Sequence, residues 1–472
     1  MSKLSEFRKY IKNKTVTVVG IGVSNTPTID FLLSCGAKVS ARDIKTSEKL
    51  GELAGSLENK GVRLILGESY LENITEDIIF KAPGIRGDLP QFTEAVSRGA
   101  VLTSEMEVFF ELCPCKIFGI TGSDGKTTTT TLTYKMLELE NKKRSNGVRV
   151  WVGGNIGKPL LPEIENIKEN DIAVVELSSF QLHMMKRSPF AAAITNVTPN
   201  HLNWHTDMEE YTHAKENIIT GNGCERSVLN YADPITCSME KLTGADVTFF
   251  TYKCTPDTKR AAVYAEGGHI VRRTPDGSVE RMLNISDIKL PGRHNVENYM
   301  TAIALTYGFV SAETITEIAK NFGGVEHRCE FVREFEGVKY YNSSIDSSPT
   351  RTEAALRSFS NKVIAICGGY DKNIPYEPLA MPLIECAKTV VLVGATAPKI
   401  KNALLSLKEY NETPKIVEAD TFEGAIRAAK EAALPGDTVI LSPASASFDM
   451  FKNFEERGNV FKNIVNGFQS KA

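Results

Sequence analysis

The sequence predicts an α/β protein of about three domains, and three observations lead there. The chain has 472 residues, where one domain takes on the order of 150. Three times it restarts with a short apolar strand that runs into glycine and then a helical pattern, as βα units of parallel sheets do. Its composition, 42% hydrophobic and 24% charged, is that of an ordinary folded protein.

The first block opens with the strand Val16-Thr-Val-Val-Gly-Ile-Gly22, continues through a helix containing Phe31-Leu-Leu33 and reaches a second strand ending at Asp43. It closes over Glu105 to Leu112. The second block starts at Lys116-Ile-Phe-Gly-Ile, carries buried strands at Asp171–Leu177 and Phe190–Val197, and runs to about Asn321. Residues 246 to 292 read as antiparallel hairpins, with turns at Glu266-Gly-Gly268 and Pro275-Asp-Gly277. The third block follows Gly323-Gly324 and alternates helices with the strands Val363–Cys367, Thr389–Val393 and Thr438–Leu441. The expected domains are 1–112, 113–324 and 325–472.

Composition excludes several classes of function. A net charge of -3 gives no concentrated basic surface for general nucleic-acid binding. Nine scattered cysteines form no repeated ligand spacing, and Cys113-Pro-Cys115 has no second pair to complete a zinc site. They read as reduced thiols. The first residues lack an apolar signal core, and no stretch approaches the roughly 18 apolar residues of a membrane span. A cytoplasmic location is expected, with no membrane or nucleic-acid partner.

The most informative motif is Gly119-Ile-Thr-Gly-Ser-Asp-Gly-Lys-Thr-Thr128. A strand, a glycine-rich turn and Lys-Thr opening a helix aim backbone N–H groups and a positive helix end at one anion, and Lys126 adds charge. The spacing is irregular for a P-loop, because Ile120 stands within it. Phosphate binding is expected at Gly122, Ser123, Asp124, Gly125, Lys126, Thr127 and Thr128, with the Thr127 hydroxyl as a magnesium ligand.

Glu176 ends an apolar strand, where ligands bind in parallel sheets and where an unpaired acid is costly to bury. It reads as a metal ligand or as a rim acid with a basic partner. His201 and His205 lie four apart, but Pro199 precedes them and no Glu follows the first, so a zinc-protease reading is weak. Lys215, taken alone, is an ordinary solvated lysine. Gly20-Ile-Gly22, with Asp43 at about the distance for a ribose, opens a dinucleotide fingerprint whose third glycine is missing. That turn suits NAD, a nucleotide-sugar or a purely structural role.

The phosphate loop, Glu176-Leu-Ser-Ser-Phe-Gln-Leu182, Asn196-Val-Thr-Pro-Asn-His201 and Pro291-Gly-Arg-His-Asn-Val-Glu-Asn298 follow one another in the order seen in the Mur ligases, and the chain resembles that family over nearly its whole length. Ser442-Pro-Ala-Ser-Ala-Ser-Phe-Asp449 and Phe451-Lys-Asn-Phe-Glu-Glu-Arg-Gly458 resemble its D-glutamate-adding members in particular. The resemblance implies a Rossmann-like N-terminal domain for UDP and a central P-loop ATPase-type domain, whose sheet is mostly parallel with a small antiparallel sheet added. It also implies a Rossmann-like C-terminal domain that closes over the site. The implied reaction joins D-glutamate to UDP-N-acetylmuramoyl-L-alanine with ATP, in a monomeric enzyme of peptidoglycan precursor synthesis. A carboxylate is a poor acylating agent, and phosphorylation gives it a leaving group that the amine of D-glutamate can displace.

By the same resemblance, Lys126 and the loop amides hold phosphates, and Thr127 and Glu176 share a first Mg2+. His201 holds a second, and Lys215 is carbamylated, which turns a cation into an anion beside that ion. Asn295 and Asn298 lie near the adenine, and Arg328 reaches the nucleotide. Lys372, Ser447, Phe448 and Phe454 receive D-glutamate. Asn155, Ser179 and Gln181 receive the muramoyl-alanine part, and Val23, Ser24, Asp43 and Ile44 surround the uridine, which settles the first glycine turn on UDP. Some positions depart from the pattern. Ser343 and Ile345 replace a usual aspartate and lysine, with Asp346 as a candidate for the missing carboxylate. Asp124 replaces an asparagine, and Asn203 an aspartate.

Overall fold

The structure is a computed structural model that describes residues 2–22 and 25–469. Val23 and Ser24, expected at the uridine, lie outside the described residues. The chain divides into two compact units, Met1–Ile285 with Glu297–Ile318, and Ser286–Val296 with Ala319–Ala472.

Three sheets organise the described residues. The first has five strands, β1 (Thr15–Val19), β2 (Lys38–Asp43), β3 (Arg63–Leu66), β4 (Ile78–Lys81) and β5 (Val101–Thr103), in the order β3-β2-β1-β4-β5. All neighbours are parallel. Strands β1 and β4 are buried along almost their full length because helices cover both faces of a parallel sheet.

The second sheet has nine strands: β6 (Lys116–Thr121), β7 (Val150–Gly154), β8 (Ile172–Glu176), β9 (Ala191–Ile194), β10 (Arg226–Asn230), β11 (Asp246–Thr251), β12 (Ala261–Glu266), β13 (His269–Arg273) and β14 (Val279–Asn284). Their order is β14-β13-β12-β11-β10-β9-β6-β8-β7. Here the hairpin expectation needs correction at its start: β11 pairs in parallel with both β10 and β12, so only β12, β13 and β14 are antiparallel. The antiparallel strands continue the same sheet at one edge. Gly267 and Gly268, with φ of 55° and 79°, make the two-residue turn that brings Glu266 opposite His269. The apolar layers of the first and second sheets are continuous, through Met106 and Phe109 of the helix Glu105–Leu112 and through Leu160, Leu161 and Ile164. That continuity makes the two sheets one compact unit.

The third sheet, in the other unit, runs β15 (Glu330–Phe335), β16 (Val338–Asn342), β20 (Thr438–Leu441), β17 (Val363–Cys367), β18 (Ala387–Leu392) and β19 (Lys415–Glu418) in spatial order. Only β15–β16 is antiparallel. All nine cysteines are free thiols, as their scatter predicts. Among the described residues no helix is long and apolar enough to cross a membrane.

Candidate active site

The glycine-rich turn joins β6, in the middle of the second sheet, to the helix Lys126–Arg144. Two of its glycines are required by geometry. Gly122 (φ 147°) faces the Thr195 hydroxyl and Gly125 (φ 80°) faces Asn298 Oδ1, so closely in each case that a Cβ would collide. Gly125 also caps the helix, so the loop delivers its N–H groups at the positive helix end.

The segment after β9 holds this loop. Asn196 accepts from the backbone N–H groups of Ser123 (2.9 Å) and Asp124 (2.9 Å), and the Thr195 hydroxyl donates to the Asp124 carbonyl (2.6 Å). The Ser123 hydroxyl lies 2.8 Å from Tyr211 Oη, donates to the Thr198 carbonyl and accepts from the Thr198 N–H. Asn298 accepts from the Thr129 hydroxyl (3.2 Å).

Lys126, expected at the phosphates, and Lys215, expected as a carbamate beside the second metal ion, meet one carbonyl. Lys126 Nζ and Lys215 Nζ each donate to Gly122 O at 2.9 Å. Lys215 is 1% exposed and lies on the helix Met208–Thr220 beside the ring of Tyr211, so the solvated-lysine reading does not hold. Burial first, and the Lys126 charge second, push its pKa well below the usual lysine value, while Asp124 opposes them.

Glu176 ends β8 in register with Ile120 of β6, two residues before Gly122. It is 1% exposed. One oxygen accepts from Asn155 Nδ2 (2.8 Å), while the other, Oε2, is buried with no hydrogen-bond partner among the described residues. No basic side chain pairs with it within the described residues, which removes the rim-acid alternative. An unmatched buried carboxylate oxygen beside a phosphate loop fits a divalent cation. No described group of three or more His, Cys, Asp or Glu residues forms a metal cage on its own.

His201 and His205 do not form a helical metal pair. His201 is exposed, adopts a left-handed conformation (φ 56°) and packs its ring on Phe180 at 4.8 Å. His205 is buried, with Nε2 at 2.9 Å from Ser179 Oγ and Nδ1 at 3.4 Å from Glu210, and burial lowers its pKa. Ser179, expected at the muramoyl part, therefore spends its hydroxyl inside the protein. Gln181 accepts from the Ser178 backbone N–H in a capping box.

Sequence reasoning missed the residue that anchors this region. Arg86, in the loop after β4, donates to the Trp204 carbonyl (2.9 Å), to both oxygens of Glu210 (2.7 and 3.1 Å) and to Asp88. Its guanidinium lies over the Trp204 ring at 5.1 Å. Glu210 also meets His183 at 3.1 Å and is held well below the usual carboxylate range, chiefly by Arg86. No local pattern marks Arg86.

At the first glycine turn, Asp43 accepts from the backbone N–H groups of Ile21 (2.6 Å) and Lys45 (2.9 Å), so it clamps the turn, while Ile44 is 63% exposed. In the other unit, Asn295 donates to the Pro291 carbonyl (2.6 Å), and Arg328 is half-buried. Asp346 is buried and accepts from the Ser442 hydroxyl (2.8 Å), and burial raises its carboxyl to about 6. Lys372 is exposed, and Ser447 is buried next to Phe448, which is 62% exposed and meets Tyr370 edge-on at 5.8 Å. Phe454 packs against His327 at 5.9 Å.

A glycine-rich loop with an orphaned acid and a buried lysine at the strand ends of a mostly parallel sheet suits a nucleotide-binding enzyme, and comparison with known proteins narrows the class to ATP-dependent ligases. A model of the Mur ligase middle domain matches residues 120–306, and one of the Mur ligase glutamate ligase domain matches residues 327–445. The chain belongs to the Mur ligase family. Its relatives include a protein of Ruminiclostridium cellulolyticum, 48% identical over 99% of this chain and 100% of the relative, and one of Clostridium kluyveri, 49% identical over 98% of each. Both carry the name UDP-N-acetylmuramoylalanine--D-glutamate ligase. The crystal structure of the UDP-N-acetylmuramate-alanine ligase MurC from Thermotoga maritima shares the fold, with a TM-score of 0.55 and 17% identity over 96% of this chain and 99% of that one.

Proposed function

We propose that the chain ligates D-glutamate to UDP-N-acetylmuramoyl-L-alanine, converting ATP to ADP and phosphate through an acyl phosphate. One observation carries the chemistry: two lysine amines share the Gly122 carbonyl, beside the unpartnered carboxylate oxygen of Glu176. The names of the full-length relatives supply the substrates.

In this reading, the loop N–H groups and Lys126 take the β and γ phosphates in place of the contact between Lys126 and Gly122. Thr127, Glu176, His201 and a carbamylated Lys215 hold two magnesium ions, which when bound neutralise phosphate charge and draw electron density from phosphorus. Burial lowers the Lys215 pKa and so favours the neutral amine, the form that reacts with carbon dioxide. The substrate carboxylate attacks the γ-phosphorus, ADP leaves, and the D-glutamate amine then displaces phosphate from the acyl carbon. Asn155 orients Glu176. Asn295, Asn298 and Arg328 serve the nucleotide, with Asp346 as the remaining ribose candidate. Asp43, Ile44, Ser179 and Gln181 serve the muramoyl substrate, and Lys372, Ser447, Phe448 and Phe454 serve D-glutamate. The division into 1–112, 113–324 and 325–472 follows the three sheets. The reading takes the enzyme as a cytoplasmic monomer.

The test is ADP release with UDP-N-acetylmuramoyl-L-alanine and, in turn, D-glutamate, L-glutamate, glycine, L-lysine and meso-diaminopimelate. Release that depends on D-glutamate is expected, and equal release with every amino acid would overturn the assignment.

A further inference from the structure

Two cysteines outside the ligase site face each other where the chain passes from the first sheet to the second. Cys113 caps the helix Glu105–Leu112, and Cys115 directly precedes β6, with Pro114 between them. Both are free thiols, and their Sγ atoms lie 3.5 Å apart. Both belong to the apolar layer that joins the two sheets, alongside Met106, Phe109 and Ile117. Packing thus holds two nucleophilic atoms in contact at the joint.

The two thiols are unlike. The Cys115 thiol, as a hydrogen-bond donor to Cys113, holds the Cys113 thiol below its usual range; burial and Asp171 oppose this, and Lys3 assists. Cys115 is pushed up, first by that same bond and then by burial. Cys113 is therefore the better nucleophile, and Cys115 keeps the proton. Elsewhere burial raises the thiols of Cys224, Cys237, Cys329, Cys367 and Cys386.

A metal ion does not suit the pair. Structural zinc takes four ligands, and among the described residues no third His, Cys, Asp or Glu completes a group. Asp171 is already held by the N–H groups of Arg149 and Lys168 and by Trp151 Nε1, each at 3.0 Å. Oxidation is what remains open to two adjacent thiols. With 7% and 8% of their surface exposed, they favour an oxidant as small as hydrogen peroxide.

We propose that Cys113 and Cys115 form a redox pair, in which hydrogen peroxide oxidises Cys113 and Cys115 closes a disulfide with it. The Cys113 thiolate attacks one peroxide oxygen, the O–O bond breaks, and the hydroxide released takes up a proton and leaves as water. Cys113 is then a sulfenic acid. The Cys115 sulfur attacks Cys113 Sγ, and the displaced hydroxide leaves as a second water with the Cys115 proton. Two thiols and one peroxide give one disulfide and two waters, the sulfurs losing two electrons and the peroxide gaining them. Closure holds Cys113 at a reversible stage, short of the sulfinic acid that thiols do not reduce.

The experiment treats the full-length protein with hydrogen peroxide, blocks free thiols, digests without reductant and reads each cysteine by mass spectrometry. Exposed Cys254 is the internal standard. In the wild type the segment with Cys113 and Cys115 should lose the mass of two hydrogens at least as fast as Cys254 is oxidised, and dithiothreitol should restore it. In Cys115→Ser, Cys113 should be trapped by dimedone as the sulfenic acid and then pass to a sulfinic acid that dithiothreitol does not reverse. In Cys113→Ser, Cys115 should stay a thiol at the same dose. A wild type that keeps both hydrogens while Cys254 is oxidised overturns the inference, since it shows two cysteines that only pack. Equal trapping at Cys113 and Cys115 in the two variants also overturns it, because neither thiol then leads.

Discussion

Lys126 and Lys215 donate to the same oxygen, the carbonyl of Gly122, each at 2.9 Å. Two ammonium groups so placed repel one another, and burial together with the Lys126 charge lowers the pKa of Lys215 well below the usual lysine value. The phosphate loop thus prepares the lysine that the ligase reading needs in carbamylated form.

Lys215→Ala should accordingly lose activity at least about a hundredfold, the scale of removing charge stabilisation at a transferring phosphoryl group. A short carboxylic acid such as acetate should restore part of it. Steady-state rates with and without acetate check this, and a mutant as active as the wild type would show that no carbamate is required.

Gly125→Ala should damage the loop more than the fold. The new Cβ meets Asn298 Oδ1 in a left-handed conformation, a strain of about 1–3 kcal/mol. We expect ATP affinity to fall at least about tenfold while the circular dichroism spectrum stays that of the wild type.

Glu105→Gln should change how stability depends on pH. Burial raises this carboxyl to about 7, although it accepts from the Leu161 N–H at 3.0 Å. A folded pKa above the unfolded one stabilises the fold fully below about 4.3, and that contribution is lost as pH rises through about 7. Glutamine keeps the acceptor and cannot ionise. The variant should therefore match the wild type near pH 4 and exceed it above pH 8 by on the order of 3 kcal/mol, read from urea unfolding at both pH values.

Arg86→Ala should loosen the segment that carries His201. It removes the bonds to the Trp204 carbonyl and to Glu210, and leaves Glu210 facing His183 and His205 without its main counter-charge. With both partners about one-fifth exposed, a loss of about 1–2 kcal/mol is expected. Arg86→Lys should not restore it, because a point charge cannot reproduce the two-pronged contact. Tm measurements on both variants decide.

What the sequence announced was whatever depends on near neighbours along the chain. Glycine between an apolar strand and Lys126-Thr127 needs no tertiary knowledge, and an acid such as Glu176 at the end of an apolar strand is legible for the same reason. The parallel pairing of β11 was hidden because strand direction is decided by partners 13 and 20 residues away, Ala261 for Thr248 and Arg226 for Asp246. Asp43 matched a ribose-binding pattern, yet it satisfies the N–H groups of Ile21 and Lys45, a use that spacing cannot distinguish. Arg86 carried no signal at all, since it acquires its meaning from side chains on a different segment.

The Ser123 hydroxyl touches Tyr211 on one side and Thr198 on the other. One oxygen atom thus couples three stretches of chain that inheritance could otherwise vary separately: the phosphate loop, the Lys215 helix and the approach to His201. A lineage that altered any one of them would have to adjust the other two, so these segments should drift together or hardly at all.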